Sequence, residues 1–148
     1  MRTSYWRLYY HLIWSTKGRE PVIDIDRETI LRRSVQASCT TLEVRCHAVG
    51  VMPDHVHVAV SIPPKVAVSD AVAAIKGSSS HALKQANAAS DREWLGWQAE
   101  FGVLSFGERS LPTVIAYVLG QAEHHARGTL FPGLERIDRR EASDDLPH

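Results

Sequence analysis

Residues 51–60, VMPDHVHVAV, place two histidines one residue apart in a run of β-branched residues that reads as a strand. Side chains alternate across a strand, so His55, His57 and Ala59 share one face while Val56, Val58 and Val60 take the other. A pattern this regular fixes the register, and strand rise sets the two histidines roughly 6–7 Å apart at Cα. That spacing suits one metal ion. A His-x-His pair also occurs as a plain polar sheet face, so a third ligand and a nucleophile are needed to make it a site.

Working outward, residues 43–52 (EVRCHAVGVM) form a second strand, and the Pro53-Asp54 turn joins it to the histidine strand as an antiparallel hairpin. His47, alone in that neighbouring strand, reads as a packed or surface residue. Residues 5–14 (YWRLYYHLIW) are aromatic and β-branched, the signature of a long central strand. The turn that follows, residues 15–21 (STKGREP), carries Lys17 and Arg19, two cations able to hold phosphates. From Asp24 or Asp26 to about Thr41 the pattern is helical, with Ile30, Leu31, Val35 and Cys39 near one face.

A second amphipathic helix is expected over residues 69–85, and in its middle stands Lys76-Gly-Ser-Ser-Ser80. Small hydroxyls beside a lysine and a glycine suit close approach of a phosphate chain, although no P-loop glycine pattern surrounds Lys76, which argues against nucleotide binding of that type. Residues 94–97 and 102–106 read as two short strands, and a last helix is expected from near Ser110, with Pro112 in its first turn, to about Arg127. The fold class is therefore α+β: a single-domain antiparallel sheet of about five strands flanked by helices, spanning residues 1–127. Residues 128–148 turn polar, with mixed charge, and are expected to form a poorly ordered tail.

At 148 residues the chain can bury a normal core without disulfides. Cys39 and Cys46 match no zinc-ribbon spacing and read as reduced, buried hydrophobes. No apolar run approaches the roughly 18–20 residues of a membrane helix, and the N-terminus lacks the apolar core of a secretory signal, so a cytoplasmic location is expected. Lys and Arg balance Asp and Glu at 17 each, which argues mildly against nucleic acid. Acidic residues outnumber Arg from Glu123 onward, however, so the body before it is slightly basic.

In the last helix Tyr117 and Gln121 are four residues apart and share a face, with His124 a further turn along. Gly120 stands between them, costing about 1 kcal/mol relative to alanine in a helix, which hints at a close neighbour or a need for movement. Laying this helix over the histidine face makes a site: His55, His57 and Gln121 as metal ligands, with the Tyr117 phenol close by. Two imidazoles and an amide oxygen, with positions left open, suit Mn²⁺ or Mg²⁺ better than a closed tetrahedral zinc site. A phenol attacks poorly at neutral pH unless a metal polarises the phosphodiester.

His55-Val56-His57 resembles the HUH motif of single-strand endonucleases. Tyr9-Tyr-His-Leu-Ile-Trp-Ser-Thr-Lys17, Gly50-Val-Met-Pro-Asp-His-Val-His57, Ile75-Lys-Gly-Ser-Ser79 and Tyr117-Val-Leu-Gly-Gln-Ala-Glu-His-His125 resemble four successive blocks of the single-tyrosine transposases of small insertion sequences. The resemblance covers residues 5–125. It implies a ferredoxin- or RRM-like HUH endonuclease fold and a DNA transposase that cuts and rejoins single strands at hairpin-bearing element ends through a 5′-phosphotyrosine link, leaving a free 3′-OH. It also implies Tyr117 as nucleophile, His55, His57 and Gln121 as ligands of a divalent metal (Mg²⁺ or Mn²⁺), no nucleotide cofactor, and a homodimer. Lys17, Arg19 and Lys76 are the candidate phosphate contacts. Where family members often carry Gly-Tyr-Gly, this chain has Glu100-Phe-Gly102, so no tyrosine competes there.

Two other readings share these residues: a REP-associated tyrosine transposase that processes chromosomal repeat hairpins, and a domesticated hairpin-binding protein without chemistry. A metal hydrolase built on the histidines alone is disfavoured, because Asp54 would point to the opposite face if the strand had already begun there.

Overall fold

The computed structural model describes residues 4–86 and 93–138. In chain order the elements are β1 (Tyr9–Ser15), α1 (Ile25–Thr41), β2 (Arg45–Met52), β3 (His55–Ser61), α2 (Val68–Gln85), β4 (Gly102–Phe106), α3 (Leu111–Leu119), α4 (Gln121–Arg127) and α5 (Pro132–Glu135). The strands form one antiparallel sheet ordered β2-β3-β1-β4, with His57 paired to Ile13 on one side and to Gly50 on the other. The α+β expectation holds.

One face of the sheet is the main core. Leu12, Trp14, Val56, Val58 and Val60 pack there against Leu31, Val35 and Cys39 of α1 and Val72, Ile75 and Leu83 of α2. Each such burial contributes about 1.5–3 kcal/mol, which is what pins the register of the histidine strand. α1 starts where it does because the Asp24 carboxylate accepts the Arg27 N–H at 2.8 Å, with Asp26 and Glu28 following in the first turn. On the other face Val114 and Val118 of α3 rest on Ala48 and Ala59, residues small enough to let the helix lie low.

Three features differ from expectation. Residues 94–97 form no strand; Trp97 makes a lone bridge to Thr16, so the sheet has four strands. Those tryptophans dock by side chain instead: Trp97 lies edge-on to Trp14 and Trp94, and the two indole N–H groups donate to Ser79 and Ser80 of α2. The last helix is broken at Gly120, which caps α3 at φ −96°, ψ 20° and from which α4 restarts.

The third difference is the expected tail. Gly128, at φ 68°, ends α4 in the left-handed conformation, and the chain then turns back over the sheet as α5. Leu134 and Ile137 are buried, two apolar anchors that a polar average conceals. The backbone of this segment lies directly on β4: a Cβ on Gly102 would stand 1.8 Å from the Arg136 carbonyl oxygen. Residues 139–148 of the expected tail lie outside the described residues.

Candidate active site

The alternation read from β3 puts His55 and His57 beneath α3 and α4, both buried, with ring centroids 5.0 Å apart. Each ring is oriented through Nδ1. His55 Nδ1 is 2.6 Å from Asp54 Oδ1, and His57 Nδ1 is 2.8 Å from His11 Nε2. Asp54 can reach its neighbour because β3 begins only at His55, leaving Asp54 in the turn rather than on the opposite sheet face. Its carboxyl is held below the usual range chiefly by the bond to His55. Burial pulls the His11 imidazole down to about 3, with His57 adding to the fall and Glu135 opposing it, so His11 is neutral at pH 7 and its Nε2 can accept a hydrogen bond from a His57 Nδ1–H.

With both Nδ1 atoms engaged, both Nε2 atoms face the same small space, and neither has a hydrogen-bond partner among the described residues. Glu135 of α5 enters that space. Its carboxylate oxygens lie 3.1 Å from His57 Nε2, 3.8 Å from His55 Nε2 and 3.1 Å from His125 Nε2. The 3.1 Å approach between His57 Nε2 and Glu135 Oε2 is not a hydrogen bond, and both atoms are fully enclosed. Burial would raise the Glu135 carboxyl, but the imidazoles of His57, His55 and His125 outweigh it and hold the group below its ordinary value. Burial lowers His57, assisted by His55 and His125 and opposed by Glu135. Imidazole nitrogens and a carboxylate converging on one enclosed space are the donor arrangement of a cation site.

Tyr117 is almost wholly buried, and its ring stands edge-on to His57 at 6.0 Å. Phe131 stacks on it at 4.6 Å, and the Phe131 N–H donates to the phenol oxygen at 3.1 Å. The phenol pKa is raised, mainly by burial; the bonds from Phe131 and Gln121 oppose the rise and Glu135 adds to it. Gln121 is buried beside His125, its Oε1 3.1 Å from His125 Nε2, while its amide nitrogen donates to the Tyr117 carbonyl. His124, the residue expected a turn along, instead packs on the Tyr117 ring, and its neighbour His125 enters the site.

The candidate phosphate contacts separate. Lys17 and Arg19 lie exposed on a 3-10 turn whose start is tied to the histidine hairpin through the Thr16 N–H and the Asp54 carbonyl. Lys76 does not belong with them. Its ammonium donates to the carbonyls of Gln98, Ala99 and Glu100, and burial lowers its pKa, so it anchors the loop leading to β4. Asp54, His11, His125 and Glu135 join the candidate site without having been expected there.

The family model described as "Transposase IS200 like" matches residues 4–121. The chain belongs to the IS200-like transposase family. Among relatives of this transposase, the ISDra2 transposase TnpA of Deinococcus radiodurans is 29% identical over 119 residues, covering 78% of this chain and 85% of the relative. The transposase for insertion sequence element IS200 of Salmonella typhimurium is 28% identical over 75 residues, 51% of this chain and 49% of the relative. A crystal structure of a Deinococcus radiodurans R1 protein described as a transposase superposes with a TM-score of 0.66 at 29% identity, covering 80% of this chain and 93% of the other. The REP-associated tyrosine transposase bound to a REP hairpin shares the fold, with a TM-score of 0.60 at 16% identity, over 84% of this chain and 74% of the other. This transposase is thus a DNA-acting enzyme by family. Among the described residues no helix is long and apolar enough to cross a membrane.

Proposed function

We propose that this transposase cleaves and rejoins single-stranded DNA at element ends through Tyr117, assisted by a divalent ion, Mg²⁺ or Mn²⁺, held by His55 and His57 with Gln121. The observation that carries the reading is the edge-on placement of the Tyr117 ring against His57, beside two buried Nε2 atoms without partners. The Tyr117 oxygen attacks phosphorus; the new O–P bond replaces the P–O3′ bond, the phenol loses its proton, and the 3′-oxygen leaves and takes one up. Rejoining runs the step backwards with a 3′-OH as attacker. When bound, the ion supplies Lewis-acid withdrawal of charge from a phosphodiester oxygen. Asp54 and His11 keep the ligand rings turned with Nε2 forward, and Lys17 and Arg19, on the turn bonded to Asp54, are the cations offered to an entering phosphate chain. The substrate is a strand with hairpin ends and the working form a homodimer.

The test is to incubate the wild-type protein with labelled single-stranded DNA carrying the element's own ends and Mn²⁺, digest both polymers, and map the adduct by mass spectrometry. A nucleotide on the Tyr117 peptide, absent with chelator, is expected. Hairpin binding with no adduct would replace the reading with that of a binding protein, and an adduct on another tyrosine would reassign the nucleophile.

His11 provides a smaller test of the ligand set. His11→Phe leaves the His57 Nδ1–H without an acceptor, so metal affinity is expected to fall about 10–100-fold, the usual loss for an outer partner. His11→Gln, whose amide oxygen still accepts, should recover part of it. Isothermal titration with Mn²⁺ reads both; equal affinity in wild type and His11→Phe would remove His11 from the site.

A further inference from the structure

Residues 128–138, beyond the family match, do two things at one place. Phe131 covers and hydrogen-bonds the Tyr117 phenol, and Glu135, one turn on, inserts a carboxylate among the imidazoles. We propose that, while α5 is docked, His125 and Glu135 are metal ligands that take the place of Gln121, closing the His55–His57 pair into a resting four-ligand site of three imidazoles and one carboxylate that selects a zinc-class ion. The proposal rests on the reading above that an ion sits between His55 and His57.

Distances and chemistry agree on the geometry. One donor atom from each of His55, His57, His125 and Glu135 lies within 4.8 Å of every other. An ion bonded at 2.0–2.1 Å to four tetrahedral ligands separates its donors by about 3.3 Å. Glu135 Oε2 stands 3.1 Å from His57 Nε2, and Oε1 stands 3.1 Å from His125 Nε2 and 3.8 Å from His55 Nε2, so turning the carboxylate and the rings to bring one oxygen and three nitrogens to that spacing would complete the shell. Three imidazole nitrogens suit Zn²⁺ or Co²⁺, whereas Mg²⁺ takes an octahedral shell of oxygens and Mn²⁺ lies at the weak end of the divalent order. The Asp54 carboxylate on His55 is the outer partner typical of such sites. Four protein ligands leave no open position, which is the mark of a holding site rather than a reacting one. With α5 in place the centre is therefore a resting one, and DNA can reach the ion only after Glu135 withdraws.

Cobalt(II) absorption reads the coordination without any assay of activity. Titrated with Co²⁺, the wild-type full chain should show the intense visible bands of a tetrahedral site, displaced by stoichiometric Zn²⁺. Glu135→Gln, close in size and partly exposed, should lose those bands in favour of a weak, higher-coordinate spectrum. Its Zn²⁺ affinity should fall by more than the roughly 10–100-fold that loss of an outer partner costs. Gly102→Ala touches no ligand but drives a Cβ into the Arg136 carbonyl; by displacing the segment it should weaken the tetrahedral bands as well. His57→Ala separates the two levels of inference. If it abolishes Co²⁺ binding while Glu135→Gln keeps the wild-type spectrum and affinity, Glu135 is not a ligand and the proposal falls, with the histidine site intact. If His57→Ala binds Co²⁺ as tightly as wild type, the underlying reading fails instead.

Discussion

Tyr117→Phe is expected to reduce covalent protein–DNA adduct and rejoined strand to nothing detectable, while hairpin binding stays within about twofold of wild type. The ring is what the structure uses for packing: it stacks on Phe131, faces His124 and meets His57 edge-on, and phenylalanine keeps all three contacts. What is removed is one oxygen. That oxygen accepts the Phe131 N–H at 3.1 Å, and loss of such a bond costs about 0.5–1.5 kcal/mol, or somewhat more if the N–H stays buried without a partner. A folding cost of that size cannot imitate a total loss of chemistry, so thermal unfolding beside a denaturing gel distinguishes the two. The other described tyrosines, Tyr5, Tyr9 and Tyr10, lie on or before β1, and none can substitute from α3. Residual adduct in Tyr117→Phe would remove the tyrosine from the nucleophile's role.

How much of this site could be read from the chain depended on whether each contact follows a local period. His55 and His57 were legible because β3 alternates at period two and its valines declare the core face. Tyr117 and Gln121 were legible as an i, i+4 pair, and they remain neighbours even though the helix breaks between them, the Gln121 amide donating to the Tyr117 carbonyl at 3.0 Å across the break. His11 was not legible. β1 is central and buried on both faces, with Leu12 and Trp14 on one side and His11 and Ile13 on the other; a strand covered on both sides shows no alternation to read. Glu135 was hidden differently. Its segment contains Gly128, Pro132 and Gly133 amid charges, a composition that reads as tail, and only the docking of Leu134 and Ile137 brings the carboxylate over β3. Trp94 and Trp97 misled in the opposite sense, their β propensity being satisfied by packing on Trp14 and α2 rather than by a ladder.

Gly50→Ala is expected to lower adduct formation about a hundredfold or more while destabilising the fold by about 1–3 kcal/mol. Gly50 is the partner of His57 across β2 and β3, and cross-strand partners share a face, so any side chain at position 50 rises beside the imidazole toward the helices above. The space is already taken. A Cβ there would lie 2.1 Å from the Val118 carbonyl oxygen and 3.1 Å from Gln121 Cγ, and the carbonyl belongs to the backbone of α3, which can give way only by lifting as a unit. Relief to an ordinary contact requires a shift of about 1 Å, and a displacement of that size in a reacting group is worth about a hundredfold in rate. Both Tyr117 and Gln121 ride on that movement, whereas His55 and His57 stay in the sheet. Gly50→Ala should therefore depress adduct formation far more than Co²⁺ binding, which keeps His55, His57 and Glu135 and weakens only through the ligand carried by α4, a split that general unfolding would not produce. Equal losses in both, following the loss of folded protein, would show that Gly50 serves only the packing of α3 and not the distance between tyrosine and histidines.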